Sequence, residues 1–429
     1  MHTIIFNRLS MVQEFINKQF YTLYFISLFL GLILCYIIRV DFIDELCSIL
    51  LFILFIFSVF KTPNWSINKT FLFTLCVFGF YLIYSLLIKS NAPKSIFADF
   101  IIQMKPYMAF FCTYQLKPCF NESQKNILKQ CCLLFWFILL VLGIADIIIP
   151  YTITEIMQHP TFYASAVTGI SLTYFYLGNY TFKERIIFLL MLSIGIISGR
   201  SKFYGFYAAA VFVTLYFGNP KNLAINTKNI LAIIIMLCTI FFVAREKIIF
   251  YFFQNFTEGG NDGAEDYIAR FVLYKTSFEI IRDYFPFGSG LGSFATHASR
   301  ICYSPIYTEY GINNVWGLSK SFDSFIADTY YPSLAQFGIT GVLLYISFWL
   351  YAIKKAFQSF KKTGQTHLII IVLLICGFLF IENVADATFT SNRGFFMMLL
   401  LGFVLSNQKE TDMIYNDMDF AIAKKKESD

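Results

Sequence analysis

Apolar residues run along this chain in long blocks separated by short polar breaks, and the blocks recur almost from one end to the other. A helix needs about 20 apolar residues to cross the roughly 30 Å of hydrocarbon in a bilayer. Twelve blocks approach that length, at 20–38, 43–60, 70–89, 98–116, 128–149, 160–178, 184–198, 201–217, 228–244, 331–353, 366–383 and 389–406. The pattern predicts an all-α, polytopic membrane protein. The first nineteen residues are polar and lead into a full-length block without a small-residue cleavage site, so the first span is expected to be retained.

Composition agrees. Of 429 residues, 57% are hydrophobic and only 14% charged, an apolar surplus well beyond what the core of a soluble domain requires. Lysine and arginine then set the orientation, because they concentrate in short cytoplasmic loops. With the N-terminus inside, the inner breaks and tails carry most of them, including Lys61, Lys69, Lys117, Lys125, Lys129, Lys183, Arg185, Lys221, Lys354, Lys355, Lys361 and Lys362. The outer breaks carry Arg39, Lys89, Lys94, Arg200, Lys202 and Arg393. Both termini are therefore expected in the cytoplasm, and the net charge of +6 follows from topology rather than from affinity for nucleic acid.

The organisation that results is a first membrane part (1–244), a large outer loop (245–330), a second membrane part (331–406) and a charged, presumed disordered tail (407–429). The outer loop is far longer than a helix-to-helix connection needs to be, which marks it as the place for function. The ten cysteines show no metal-like spacing, and a disulfide framework or zinc site is not expected.

Charges at membrane depth cost a few kcal/mol each, so those present ask for an explanation. Arg200 and Lys202 stand in "SGRSK" at the outer end of the seventh block, where cations are normally scarce. They either snorkel to headgroups or form an anion site, for which arginine's planar fork suits phosphate oxygens. Lys105 stands inside the fourth block before Pro106. It is expected either to line an aqueous cavity or to pair with a carboxylate such as Asp99 or Asp146.

In the outer loop, Tyr267, Phe271, Tyr274, Phe278 and Ile281 recur at helical spacing and predict an amphipathic helix against the membrane part. Arg270 flanks that stripe, while Lys275 and Arg282 read as solvated or as secondary anion contacts. Pro286 is expected to end the helix, and Gly288, Gly290 and Gly292 to form a tight or left-handed turn that could serve as an anion nest. His297 is a base or a surface residue. Asp323 and Asp328 are the candidate carboxylates. Asp328 reads equally as a helix cap or a general base, with Tyr330 and Tyr331 beside it as sugar-stacking surfaces.

Ser198-Gly199-Arg200 at an outer helix turn, the helix bearing Arg270, "PFGSGLGSF" (Pro286 to Phe294) and "DTYYPSLAQFGITG" (Asp328 to Gly341) resemble, in order and topology, the O-antigen ligase and polymerase superfamily. The resemblance covers residues 196–345 most directly. It implies a glycosyltransferase of the bacterial inner membrane that uses a polyprenyl-diphosphate-linked oligosaccharide as donor and acceptor. Transfer would invert at the anomeric carbon, with no nucleotide sugar, metal or other cofactor. On this resemblance Arg200 and Arg270 match diphosphate-contacting arginines, and Asp328 falls near the histidine-asparagine position of the ligase branch. This chain has Ala327 and Asp328 there, which looks more like the repeat-unit polymerase branch. A chain-length regulator and a flippase of the same pathway are implied partners, besides membrane lipids. The alternatives are an O-antigen ligase acting on lipid A core and a polysaccharide-lipid flippase, for which twelve spans are equally natural.

Overall fold

A computed structural model describes residues 2–62, 66–224, 226–236 and 264–406, together with 238 and 245. Among the described residues there are helices, turns and no strand. The main helices are α1 (His2–Phe25), α2 (Ile43–Lys61), α3 (Lys69–Ile88), α4 (Pro93–Leu116), α5 (Glu122–Ile148), α6 (Pro160–Tyr176), α7 (Phe182–Ser193), α8 (Ser201–Tyr216), α9 (Ala264–Asp283), α10 (Gly338–Thr363), α11 (Thr366–Glu382) and α12 (Asn392–Ser406). Five helical stretches are long and apolar enough to cross a membrane: Met11–Ile38, Ile43–Lys61, Lys69–Ile88, Glu122–Ile148 and Tyr331–Lys362. The other apolar blocks within the described residues are also helical, but are shorter or carry more charge.

Two boundaries differ from the pattern in the sequence. Helix α1 begins at His2, well before the first apolar block, and continues through Ile26–Leu34 as a π-helix and on to Ile38. The reason is packing: Ile16 and Phe20 are already buried, and Gln13 donates to the carbonyl of Leu116. The ninth block is helical over Thr227–Met236, and the rest of it lies almost wholly outside the described residues, as do most of 245–263 and all of the tail from 407.

The core sits where α12 runs against α4. Gly402 makes the close approach possible, since a Cβ there would stand 2.5 Å from the carbonyl oxygen of Phe110. Around this pair Phe20, Tyr24, Phe120, Phe396 and Phe403 form an aromatic cluster with ring separations near 5 to 6 Å. Edge-on and tilted pairs of this kind add to the packing beyond the area they bury.

The segment expected to form the outer loop has a core of its own, built from Ala269, Leu273, Ile280, Phe294, Tyr307, Leu318 and Ile326. Its first element is α9, as the aromatic periodicity predicts, but the buried face is different. Ala269, Leu273, Thr276, Ser277 and Ile280 face inward, whereas Phe278 is 71% exposed. Small side chains allow the helix to lie close to Tyr331–Phe337, and the bulkier aromatic falls outside that contact. Helix α9 ends at Asp283, ahead of Pro286.

The glycine run is a structural turn. Gly288, Gly290 and Gly292 all have positive φ, at 79°, 84° and 71°. Their amides are consumed internally: Gly290 N donates to Gln336 O (2.9 Å), Leu291 N to Ser85 Oγ (2.7 Å) and Gly292 N to Asp99 Oδ2 (2.8 Å). The anion that occupies this nest is thus the chain's own Asp99. Gln336 Nε2 donates to the same carboxylate oxygen (2.8 Å), so one buried acid ties α4, the glycine turn and the entry to α10 together.

Candidate functional site

At the end of the bundle where the outer loop docks, the short helix His297–Ile301 meets the starts of α2 and α12 around a cavity of about 370 Å³. Its wall carries Asp41, Asp44, Glu45, Lys105, His297, Arg300, Asp386 and Arg393, charged or ionisable groups drawn from four helices and the turns between them. Apolar helices do not gather so many charges at one spot for packing alone, because each must be paired or solvated.

Lys105 shows how the pairing is done. Its side chain is 3% exposed, and its Nζ lies against Asp44 and donates to Glu45 Oε1 at 2.6 Å. Sequence reasoning offered a cavity or a carboxylate partner; both hold, but the partners are Asp44 and Glu45 in the first turn of α2, not Asp99 or Asp146. Asp99 is taken by the glycine turn, and Asp146 accepts from the amide of Ile153 (2.8 Å). The correction has a simple cause. Sequence distance gave no hint that the start of α2 faces the middle of α4, where the lysine needs a counter-charge.

A second set of charges lies next to the first. Arg393 is 4% exposed and grips Asp386 with two hydrogen bonds of 2.9 and 2.7 Å, while its guanidinium lies over the ring of Phe162 at 4.9 Å. Burial works against ionisation of Asp386, yet the charge and hydrogen bonds of Arg393 outweigh it and hold the carboxyl down to about 2. Lys202 pairs with Glu382 at 2.8 Å. Arg270 pairs with Asp328, donating from Nε at 2.6 Å.

Arg200 differs from these three. It stands just before the first residue of α8, following Gly199 at φ 67°, makes no side-chain capping bond and is half-buried. Among the described residues it makes no ion pair. Its charge is felt at His159, whose pKa is lowered to about 4 by burial first and by Arg200 next, with Arg393 and Lys202 adding to the same effect. Asp328 in turn feels Asp386 and Lys202. Arg200, Arg270, Arg393, Lys202, His159 and the carboxylates therefore share one electrostatic neighbourhood, in which Lys202, Arg270 and Arg393 have carboxylate partners and Arg200 has none among the described residues.

The expected site residues divide accordingly. Arg200, Lys202, Arg270 and Asp328 fall into this charged neighbourhood, and Lys105, His297 and Tyr330 line the adjoining cavity. The carboxylate of Asp328 turns to Arg270, although Ala327 and Thr329 on either side face the cavity. Burial pushes its pKa up to about 6 against the pull of Arg270. His297 begins its short helix, and burial followed by the nearby charge of Arg300 keeps its pKa below the usual value. A neutral imidazole at pH 7 can accept a proton.

Three expected contacts look different in three dimensions. Tyr330 is 2% exposed, its ring packed on Phe389 at 5.0 Å and Tyr345 at 5.7 Å, so it supports the wall rather than offering an open face to a sugar. Tyr331 is half-buried and donates to the carbonyl of Phe380 (2.9 Å). Arg282, 76% exposed and paired with Asp283, stands apart from the cavity on the outside of α9.

Sequence reasoning missed Arg393, Asp386, His159, Arg300, Asp44 and Glu45. For Arg393 the signal was present, since the expected topology places it, like Arg200, at an outer helix turn, and the same scarcity argument applies to both. The acids and histidines carry no such mark. Neither the models of known protein families nor the curated protein sequences contain a match to this chain.

Proposed function

We propose that the protein is a membrane glycosyltransferase that polymerises polyprenyl-diphosphate-linked oligosaccharide repeat units into O-antigen or capsular polysaccharide. In this reading the chain crosses the bacterial inner membrane about twelve times, with both termini cytoplasmic and residues 245–330 on the periplasmic side. One observation carries it: where Lys202, Arg270 and Arg393 are each balanced by a carboxylate, Arg200 is half-buried beside them and unbalanced. A partly desolvated cation with no carboxylate partner suits a ligand that brings negative charge.

The chemistry follows from that charge. A hydroxyl of the acceptor sugar attacks the anomeric carbon of the donor, and the bond from that carbon to the diphosphate oxygen breaks with inversion. Polyprenyl diphosphate leaves with the electron pair, and its growing charge is met by Arg200, with Lys202 as a second cation and Arg270 released from Asp328 as a third. The hydroxyl's proton passes to a base. Asp328, with its raised pKa, is suited to hold a proton transiently, and the loss of that carboxylate's charge would free Arg270 for the diphosphate at the same moment. His297 is the second group able to act as acceptor.

A transporter reading draws on a different observation, the buried cluster of Lys105, Asp44 and Glu45, because intramembrane ion clusters are common in coupled transport. Arg200→Ala in cells separates the two. The polymerase reading predicts that single repeat units still reach the outer face while chains fail to grow. Loss of the single units from that face would favour the transporter.

A further inference from the structure

Helices α3 and α10 lie in two of the stretches long and apolar enough to cross a membrane, and hydrogen bonds hold them together near both ends. At one end Asn68 Nδ2, just before α3, reaches the hydroxyl of Tyr351 (3.1 Å). At the other, the hydroxyl of Tyr81 donates to the carbonyl of Phe337, just before α10 (2.6 Å). Between these ties the helices part around a cavity of about 140 Å³. It follows α3 from Thr70 to Tyr81, about 16 Å at the helical rise, so its small volume is drawn out into a narrow slot.

The slot has an aromatic inner wall and an open side. Phe78, Tyr107, Phe337 and Phe348 form the wall, with ring separations of 5.1 to 6.3 Å. Phe73, 56% exposed, and the exposed Ser347 stand at the open side, which in a bilayer faces the acyl chains. The deep end meets the charged cavity, because the buried Gln103 and Tyr330 line both. Gln103 Nε2 donates to Asp99 Oδ1 (3.3 Å), which holds this partition in place. The amide of Tyr330 donates to the carbonyl of Asn383 (3.3 Å), next to the Glu382 that pairs with Lys202, and Asp328, two residues earlier, holds Arg270. The slot therefore leads from the exposed side of two apolar helices to the paired cations. Interiors normally close to near-crystalline density, and an empty space between apolar walls forfeits contacts, so a slot kept open by hydrogen bonds at both ends is suited to an occupant.

We propose that the slot holds the isoprenoid chain of the polyprenyl diphosphate, its first units beside Gln103 and Tyr330 and the remainder leaving past Phe73 and Ser347 into the lipid. This rests on the glycosyl-transfer reading, which sets the diphosphate at Arg200 and Lys202. The occupant must be apolar along its length and anionic at one end, since the slot is walled by aromatic side chains and ends beside cations. A phospholipid's acyl chain meets the first condition, and the experiment separates the two.

Full-length protein in lipid nanodiscs is photolabelled with a polyprenyl diphosphate carrying a diazirine in an isoprene unit near the head, and the labelled peptides are mapped by mass spectrometry. Labels are expected on α3 within 70–81 and on α10 and its entry within 337–351. Ser347→Trp, which plugs the open side, should cut that labelling about tenfold, the effect of losing the burial of about two methylene groups. Thr74→Trp plugs the slot from α3 if Ser347→Trp is not recovered folded. Ile346→Trp, at an exposed position of α10 outside the slot, should leave labelling unchanged, and an equal loss there would overturn the proposal. Labelling confined to other helices would overturn it, as would equal labelling of the slot by a phosphatidylglycerol with a diazirine in its acyl chain. Slot labelling without chain growth in the same preparation would support the slot and count against polymerisation. Chain growth with the labels elsewhere would do the reverse.

Discussion

The two ends of the bundle hold positive charge in opposite ways. Around the charged cavity, Lys202, Arg270 and Arg393 are each locked to a carboxylate, whereas Arg200 has no carboxylate partner among the described residues. At the far end, lysines ring a hollow with no acid in its described lining. The carboxylates fix the paired cations in orientation, which leaves Arg200 as a neighbouring charge open to a ligand. Lysine, a point charge on a flexible stem, is suited to holding a ligand without chemistry. The contrast teaches that cations differ more by what they face than by their number.

The largest effect is expected at Arg200. Arg200→Ala should reduce chain growth by about 10²- to 10³-fold, the scale found when one pre-aligned donor is removed from a developing anion. Arg200→Lys should recover only part of it, since a point charge replaces a bidentate fork. Assays of polymer length in membranes carrying each variant at equal abundance measure this, and a Lys variant as active as the wild type would break the distinction drawn between the two ends.

Next in size is the anchor that brings the outer loop to the bundle. Gly288→Ala places a side chain at φ 79° and against the backbone of Gly338, so it should destabilise the protein by more than about 1 kcal/mol. Thermal unfolding in detergent should show a clear fall in Tm. Gly311→Ala is the comparison, because its φ of 67° is similar but no atom lies within 4 Å of the added Cβ, and it should cost less.

Asp328 gives a pH dependence with a defined sign. Its pKa in the folded protein is raised to about 6, so the carboxylate needed as a base is lost as pH falls through that value. Activity should therefore drop about tenfold per pH unit below about 6 and level off above it. Stability should run the other way. A carboxyl with a raised folded pKa contributes stability when protonated, and that contribution declines as pH rises from near 4 through about 6. Asp328→Asn should flatten both dependences; an unchanged pH–rate profile in this variant would assign the base elsewhere, His297 being next.

The smallest effect is expected at Arg282. Exposed and paired only with its neighbour Asp283, it should tolerate alanine with no change in chain growth.

Much of the architecture was legible in the sequence. The apolar blocks became helices, the aromatic periodicity from 267 to 281 became α9, and the three glycines took positive φ. Local periodicity and glycine's conformational freedom act over a few residues, so they can be read from a few residues. The charged site was legible only in part. Arg200 and Arg393 stand out because the expected topology puts each where cations are scarce. The partners that decide their chemistry come from distant segments, as Asp386, Glu382 and Asp328 do, and no local pattern marks an acid that will face an arginine. Lys105 makes the same point, having found Asp44 and Glu45 some 60 residues away in sequence rather than the acids nearest to it.

The central claim is that Arg200 serves a diphosphate leaving group during chain growth. Incubation of the purified protein with defined polyprenyl-diphosphate-linked repeat units, followed by mass analysis, tests it most directly. The wild type should produce a ladder of chains differing by one repeat unit, and Arg200→Ala should leave the single unit unextended. No ladder from the wild type, transfer only to lipid A core, or an undiminished ladder from Arg200→Ala would contradict the account.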